Sequence, residues 1–592
     1  MNCAPQINLS HRRLATAVAG LVLLAFTARA DNPNSIIYSK HNLSVSSPGT
    51  VHAVTESDVC IFCHTPHHAS ATAGPLWNHQ MSAATYTPFT SPTLTALGVT
   101  IGPPTGSSRL CLSCHDGTVA LGLVSSRPGG IAMNNSLPDA SKIGPDLSLQ
   151  HPISFVYNSK LANDASAYPA AGGLVDPGTL PPEVVLENGT TLQCTTCHDP
   201  HNKQYGNFLV MDNSSSQLCV TCHALPGWSG SVHASSSKLV PLALASQIVR
   251  PQSGLQNQAV VAATTVAHTA CASCHTPHAA AAKSGLMRFS LPEQNCVNCH
   301  AGAGPGKNVA TDLKKLSAHP VSMESDVHSA RENLVNPPVR HVTCADCHNP
   351  HATSSAVGTK NHVSGALANV AGISAGGGIL SAVTHEYELC FRCHGDSANR
   401  GPARVPRQLA QTNTRLEFNP GNTSFHPVET FGKNASAPSL LSPLTTTSLI
   451  GCGDCHNNDQ GPATGGTGAN GPHGSAFVPL LERRLLLTDG TPYNPANFAL
   501  CYKCHSSTVV DSSLASSWSG HQTHIENYKA ACTTCHASHG TTQPHLINFN
   551  TTYVQPVSGV LNYTSTGVNH GTCTLTCHDG SGQRITHNAK SY

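Results

Sequence analysis

The chain has 592 residues, with 25 Cys and 37 His against 13 Phe, 12 Tyr and 3 Trp. Charged residues are only 10% of it and the formal net charge is +1, with no long basic run, which excludes an electrostatic nucleic-acid partner. The 49 Gly and 41 Pro interrupt regular elements, and 5% aromatic residues cannot furnish an ordinary core at this length. The expected fold is mostly irregular coil with short helices, wrapped around flat apolar cofactors that stand in for a core.

Residues 1–30 read as a secretory signal peptide. Arg12 and Arg13 precede an apolar stretch from Leu14 to Phe26, and Ala28-Arg29-Ala30 is a small-x-small cleavage site. The stretch is short for a bilayer span of about 20 apolar residues. Cys3 precedes it, whereas the cysteine of a lipid anchor follows. The mature chain is therefore expected to be exported, to the periplasm or to the outer-membrane surface or beyond it.

From Cys60 onward every cysteine lies in a pair followed at once by His. In chain order the sets are Cys60, Cys63 and His64; Cys111, Cys114 and His115; Cys194, Cys197 and His198; Cys219, Cys222 and His223; Cys271, Cys274 and His275; Cys296, Cys299 and His300. They continue with Cys344, Cys347 and His348; Cys390, Cys393 and His394; Cys452, Cys455 and His456; Cys501, Cys504 and His505; Cys532, Cys535 and His536; and Cys573, Cys577 and His578. The last set has three residues between its cysteines and the others have two. Two thiols so spaced add across the two vinyl groups of one haem, and the adjoining His lies under the iron as its proximal ligand. Zinc sites need four ligands and do not require a His at the fifth position each time. Disulfides suit an exported chain but leave the histidines unexplained. The reading is about twelve haem c groups.

The motifs fall into six pairs, which divide the mature chain into residues 31–165, 166–240, 241–325, 326–430, 431–515 and 516–592. The first member of a pair is often followed by x-Pro-His, ending at His67, His201, His278 and His351; in the sixth pair the segment is Ala-Ser-His539. A His-Pro step follows the second member at His151, His319 and His426. The fifth pair departs: Asn457-Asn458-Asp459 follows His456, and the nearest His is His473.

Each iron needs a sixth ligand. Met81, Met133, Met211, Met287 and Met323 are too few for twelve irons, whereas 24 histidines lie outside the motifs and the leader. Bis-His ligation and low potentials follow. A His three residues after a proximal His cannot reach the opposite face of the same porphyrin, so it serves a neighbour; His351 is expected to serve the haem at Cys390 and Cys393. The distal candidates are His67, His151, His201, His233, His278, His319, His351, His426, His473, His524, His539 and His570. His41, His52, His79, His268, His341, His385, His521 and His545 are held in reserve. Ser125–Asp146, Lys160–Pro182, Ser235–Ala263 and Gly461–Gly471 read as loops. Phe477–Leu487 reads as a short strand or helix, and Trp77 and Tyr168 as packing residues.

The paired motifs, the x-Pro-His signature, Ser39-Lys-His-Asn-Leu-Ser44, Gly471-Pro-His-Gly-Ser475 and His545-Leu-Ile-Asn-Phe549 together resemble the doubled-motif family of multihaem cytochromes, common in bacteria that respire metals or other extracellular acceptors. The resemblance covers nearly the whole mature chain. It implies electron transfer through stacked bis-His haems, with redox partner cytochromes or extracellular acceptors as partners. Docking in or on an outer-membrane barrel, which would be a separate protein, is a further reading that overlaps the first. Two other readings stand beside it: a subunit of a conductive filament built from copies of the chain, and a multihaem reductase with one open iron. Because all twelve motifs end in His, an electron carrier is expected rather than an enzyme.

Overall fold

The computed structural model describes residues 32–592 apart from 164–172, 249–262, 322–332, 334, 336–341, 398–401, 435–436, 511–517, 579–581 and residues 75, 303, 361 and 568. The leader, Tyr168, Met323 and His341 lie outside the described residues. The described chain is mostly coil, with short helices and small sheets.

Its two longest helices, α1 (Gly106–His115) and α2 (Glu386–His394), both end on a motif histidine. Elsewhere the motif itself makes a single turn, as at Cys194–Cys197, Cys344–Cys347 and Cys532–Cys535. The turn follows from the spacing. Residues i, i+3 and i+4 share one face of a helix, so both thiols and the imidazole emerge together. One backbone bond from the His N–H to the first Cys carbonyl closes the turn, at 2.8 Å for His64, 2.9 Å for His348 and 3.0 Å for His536. Side chains cap several turns: the Asp346 carboxylate accepts from the Thr343 N–H at 2.7 Å, and that of Asp454 accepts from the Gly451 N–H at 2.7 Å.

The twelfth motif is the exception. It lies in a four-stranded antiparallel sheet of β1 (Val554–Gln555), β2 (Asn562–Gly567), β3 (His570–His578) and β4 (Arg584–Ser591). The long β3 pairs with β1 and β2 along one edge and with β4 along the other.

Two-residue ladders join segments far apart in sequence. Ser317–Ala318 pairs with Gly474–Ser475, and Ser424–Phe425 pairs with Gly540–Thr541. Both ladders need glycine: a Cβ on Gly474 would lie 1.7 Å from the Asp312 carbonyl oxygen, and one on Gly540 2.1 Å from that of Glu417. The apolar residues form several small clusters rather than one core. The largest gathers Phe89, Ile101, Phe155, Tyr157, Leu161, Leu186 and Leu192. Another joins Ile373, Phe391, Phe418 and Val428.

Two loop expectations and one element expectation change. Leu242–Ile248, inside Ser235–Ala263, is a helix, because its Leu-Ala-Leu-Ala run favours one and buries Leu244 and Ala245. Lys160–Pro182 takes in most of the helix Ser159–Asn163, the strand Gly173–Leu174 and a 3-10 turn at Pro177–Thr179. Phe477–Leu487, conversely, is neither strand nor helix. It is a turn closed by an isolated Phe477 to Leu481 bridge, with Pro479 interrupting any ladder and Leu480, Leu481 and Glu482 buried. Among the described residues no helix is long and apolar enough to cross a membrane.

Candidate metal centres

Histidines outside the motifs are brought together in clips, each joining two distant segments. His41 Nδ1 donates to the Pro200 carbonyl at 3.3 Å, beside His201. The His151 N–H donates to the Pro277 carbonyl at 2.7 Å, beside His278. His233 Nδ1 donates to the Pro350 carbonyl at 2.7 Å, beside His351. His319 Nδ1 donates to the Pro472 carbonyl at 2.8 Å, beside His473. His426 Nδ1 donates to the Ser538 carbonyl at 2.6 Å, and its N–H to the His539 carbonyl at 2.9 Å. The residue before the second His is therefore an acceptor for the first His, and proline suits that place because it holds the chain extended and needs no partner for an N–H. A sixth clip is made differently: His521 and His524 sit three apart on the continuous helical segment Gly520–Gln522 and Thr523–Asn527.

Each clip histidine faces another imidazole. By ring centroids, His201 faces His64 at 6.3 Å, His41 faces His115 at 6.1 Å, His278 faces His198 at 6.2 Å, His151 faces His223 at 6.3 Å, His351 faces His275 at 6.2 Å and His233 faces His300 at 6.4 Å. Further along, His473 faces His348 at 5.9 Å, His319 faces His394 at 6.4 Å, His539 faces His456 at 6.3 Å, His426 faces His505 at 6.4 Å and His521 faces His536 at 6.3 Å. These eleven pairs use eleven motif histidines once each. Two further pairs contain no motif histidine, His524 with His587 at 5.9 Å and His362 with His385 at 6.4 Å.

A metal held between two imidazoles at about 2 Å from each nitrogen, the ordinary metal–imidazole bond, sets ring centroids about 6 Å apart. The tautomers also fit. A carbonyl only accepts, so a ring whose Nδ1 contacts one must donate from Nδ1 and keep its Nε2 lone pair for a metal. Such contacts hold motif histidines too, among them His115 to Ser141 at 2.8 Å, His198 to Asn207 at 2.9 Å, His348 to Ala366 at 2.9 Å and His456 to Pro479 at 3.1 Å. His539 Nδ1 contacts the Glu417 carboxylate at 2.7 Å, which makes that imidazole a stronger donor to a metal. The residues present fit haem iron between paired rings.

The thiols set the order of the motifs. Cys111 is in hydrogen-bond contact with Cys194, Cys219 with Cys271, Cys296 with Cys344, Cys390 with Cys452 and Cys501 with Cys532. In alternation, Cys63 lies near Cys114, Cys197 near Cys222, Cys274 near Cys299, Cys347 near Cys393, Cys455 near Cys504, and Cys535 near Cys573 and Cys577. The twelve motifs thus run in a single file in sequence order. Burial pushes the thiols of Cys63 and Cys274 up to about 11 and those of Cys114, Cys197, Cys347, Cys455 and Cys535 up to about 12, whereas hydrogen bonds from Cys111 and Cys219 bring Cys194 and Cys271 down to about 7.

Burial holds the imidazoles of His41, His223, His278, His351, His426, His456, His473, His521 and His536 down at about 4. In the unfolded chain they titrate at about 6.5. The unfolded state therefore binds more protons between these values. Stability from these groups is fully present above about 6.5 and is lost as pH falls through about 4. Those values belong to the metal-free rings; iron at Nε2 would hold the same rings neutral, so acid must displace the metal before they protonate, and the low-spin spectrum of the holoprotein is expected to persist as pH falls to about 4. Loss of that spectrum between about 6.5 and about 4 would contradict it.

Of the twelve distal candidates, His151, His201, His233, His278, His319, His351, His426, His473 and His539 each face a motif histidine, and His524 faces His587. His351 turns to His275 and not to His394. No imidazole contact joins His67 or His570 to another described ring. His41 and His521, from the reserve, occupy clips. His587 was passed over in the sequence, since it follows no Pro and lies beyond the last motif. The fifth pair is reconciled by its loop: Asn457 Oδ1 accepts from the Gly471 N–H at 2.7 Å, and Asn458 Nδ2 donates to the Ala469 carbonyl at 2.8 Å. The insertion is pinned aside, and Pro472-His473 arrives where x-Pro-His arrives elsewhere. Trp77 stacks edge-on against His64 at 5.8 Å.

Residues 187–225, which include the motifs at Cys194 and Cys219, match a family model described as the doubled CXXCH motif. The motifs attach c-type haem. No curated protein matches the chain. The chain thus carries the haem-binding feature of multihaem electron-transfer cytochromes.

Proposed function

We propose that the chain binds twelve c-type haems in single file, each iron between two imidazoles, and relays electrons along the file between redox partners outside the cytoplasm. The observation that carries this is the set of eleven motif histidines, each facing a different clip histidine at 5.9–6.4 Å. Bound there, haem iron supplies reversible one-electron chemistry at low potential, because imidazole and not Met fills both axial places.

The chain's own residues do the rest. The cysteines would fix each porphyrin, and in the first eleven motifs the motif histidine and its clip histidine would hold the iron between them. Nδ1 contacts set the tautomer and hold ring orientation. The proposed distal set is His41, His201, His151, His278, His233, His351, His319, His473, His426, His539, His521 and His524, so His41 and His521 replace His67 and His570. Each clip serves two consecutive motifs. His41 and His201 serve the first pair and His426 and His539 the fifth, so the six haem pairs are interlaced modules. A two-sided ligand set favours a carrier over a reductase, which needs an open iron. It also needs no histidine from a second copy of the chain. The leader and the c-type motifs support an exported protein, in the periplasm or at the outer-membrane surface, with a partner cytochrome, an extracellular acceptor or a barrel as its contact.

The test is the intact mass of the secreted holoprotein with its reduced spectrum under carbon monoxide. Mass equal to residues 31–592 plus twelve haems, and a spectrum that barely responds, are expected. Eleven haems would remove the Cys573 motif alone, fewer than ten would overturn the reading, and a stoichiometric response to carbon monoxide would favour the reductase.

A further inference from the structure

The twelfth motif departs from the other eleven in backbone, and the departure moves its histidine. In Cys-x-x-Cys-His the helical turn carries both thiols and the imidazole to one side. On β3, side chains alternate between faces, so Cys573, Leu575 and Cys577 share one face and His578 lies on the other. His578 pairs across the ladder with Arg584, and its Nδ1 contacts the Gly582 carbonyl at 3.4 Å.

The place beside the thiols belongs to a different residue. His587 on β4 pairs directly with Leu575, between the two cysteines, and directly opposed residues of antiparallel strands share a face. His587 is 6% exposed. Its ring stands 5.9 Å from that of His524, the same separation as His348 and His473. Both rings are anchored through Nδ1: His524 donates to the Gly520 carbonyl at 2.7 Å, and His587 bonds the Tyr592 hydroxyl. Tyr592 in turn lies within electrostatic reach of Cys573 and Cys577. Trp518, 5.0 Å from His524 and 5.2 Å from Tyr592 by ring centroids, closes the aromatic wall.

Resting on the electron-transfer reading above, we infer that the haem attached at Cys573 and Cys577 takes His587, and not the motif histidine His578, as the axial ligand opposite His524. On the strand the two thiols stay within electrostatic reach of each other, whereas the rival arrangement has the motif leave the strand and brings His578 to the thiol face. The two are separable in the full-length holoprotein.

His587→Ala keeps the whole attachment motif. Twelve haems by intact mass are expected, with one twelfth of the iron turning high-spin and binding carbon monoxide, while His578→Ala leaves every attached haem low-spin. His587→Met, which keeps a ligand at the position and serves if His587→Ala fails to fold, is expected to give one His/Met haem with a raised potential and a sulfur-to-iron charge-transfer band. Twelve low-spin haems in His587→Ala, no new band in His587→Met, or no haem on Cys573 and Cys577 in the parent would each overturn this inference and leave the carrier reading standing. Absence of haem from the other motifs would overturn the carrier reading itself.

Discussion

His351→Ala is expected to leave all haems attached and to open one iron, the one bound at Cys271 and Cys274. His351 follows His348 by three residues, but its ring is stacked at 6.2 Å and 19° on that of His275, while His348 faces His473. The ring is also packed against Trp228 at 6.2 Å, and burial holds it near pKa 4, so it is a neutral donor at working pH. Losing that imidazole leaves His275 as the single axial ligand. The iron turns high-spin, binds carbon monoxide and rises in potential. One high-potential site in the midst of low-potential ones is a trap, so electron transit through the purified protein slows. Magnetic spectra and a redox titration decide it. An unchanged low-spin titration would mean that the ring separation at His351 does not report ligation, and the same doubt would fall on His201 and His278.

The histidine spacing carried the chemistry but not the wiring. Attachment residues could be read directly because thiol, thiol and imidazole sit within one helical turn, and local geometry leaves no freedom. The distal histidines are long-range partners. The x-Pro-His rule finds His201, His278 and His351, because in these three copies the proline carbonyl has a clip partner. It also selects His67, whose flanking segment has no such partner among the described contacts. His41 lacks a neighbouring Pro, and His521 and His524 rely on helical spacing in place of a ladder, so the same local rule overlooks all three. Nor could sequence tell that His351 turns to His275. A residue three positions past one proximal ligand can reach any neighbour, and the choice is made by the clip with His233, held by Pro350 and by the Val232 N–H to Thr353 carbonyl bond at 2.8 Å. The coil-rich fold was legible from composition, whereas the final sheet was not: its strands are polar, and β3 contains the motif that elsewhere makes a turn.

Arg392→Ala is expected to cost about 3–5 kcal/mol, the range for stripping one partner from a buried ion pair. The Arg392 guanidinium donates to the Asp346 carboxylate at 2.9 Å and to its carbonyl at 2.8 Å, with the two side chains 5% and 10% exposed. Asp346 belongs to the seventh motif and Arg392 to the eighth, so the pair fastens two successive attachment turns back to back. The same carboxylate caps its own turn through the Thr343 N–H. Removing the guanidinium leaves a buried carboxylate without that counter-charge. Removing the carboxylate as well, in Asp346→Asn with Arg392→Met, takes away the uncompensated charge, and is expected to recover much of the loss. Denaturant midpoints compare the three proteins, and amide exchange locates the damage: opening should concentrate at Cys344–Cys347 and in α2. Should Arg392→Ala unfold like the parent while its exchange stays slow there, the two motifs are held together by their cofactors and not by this pair.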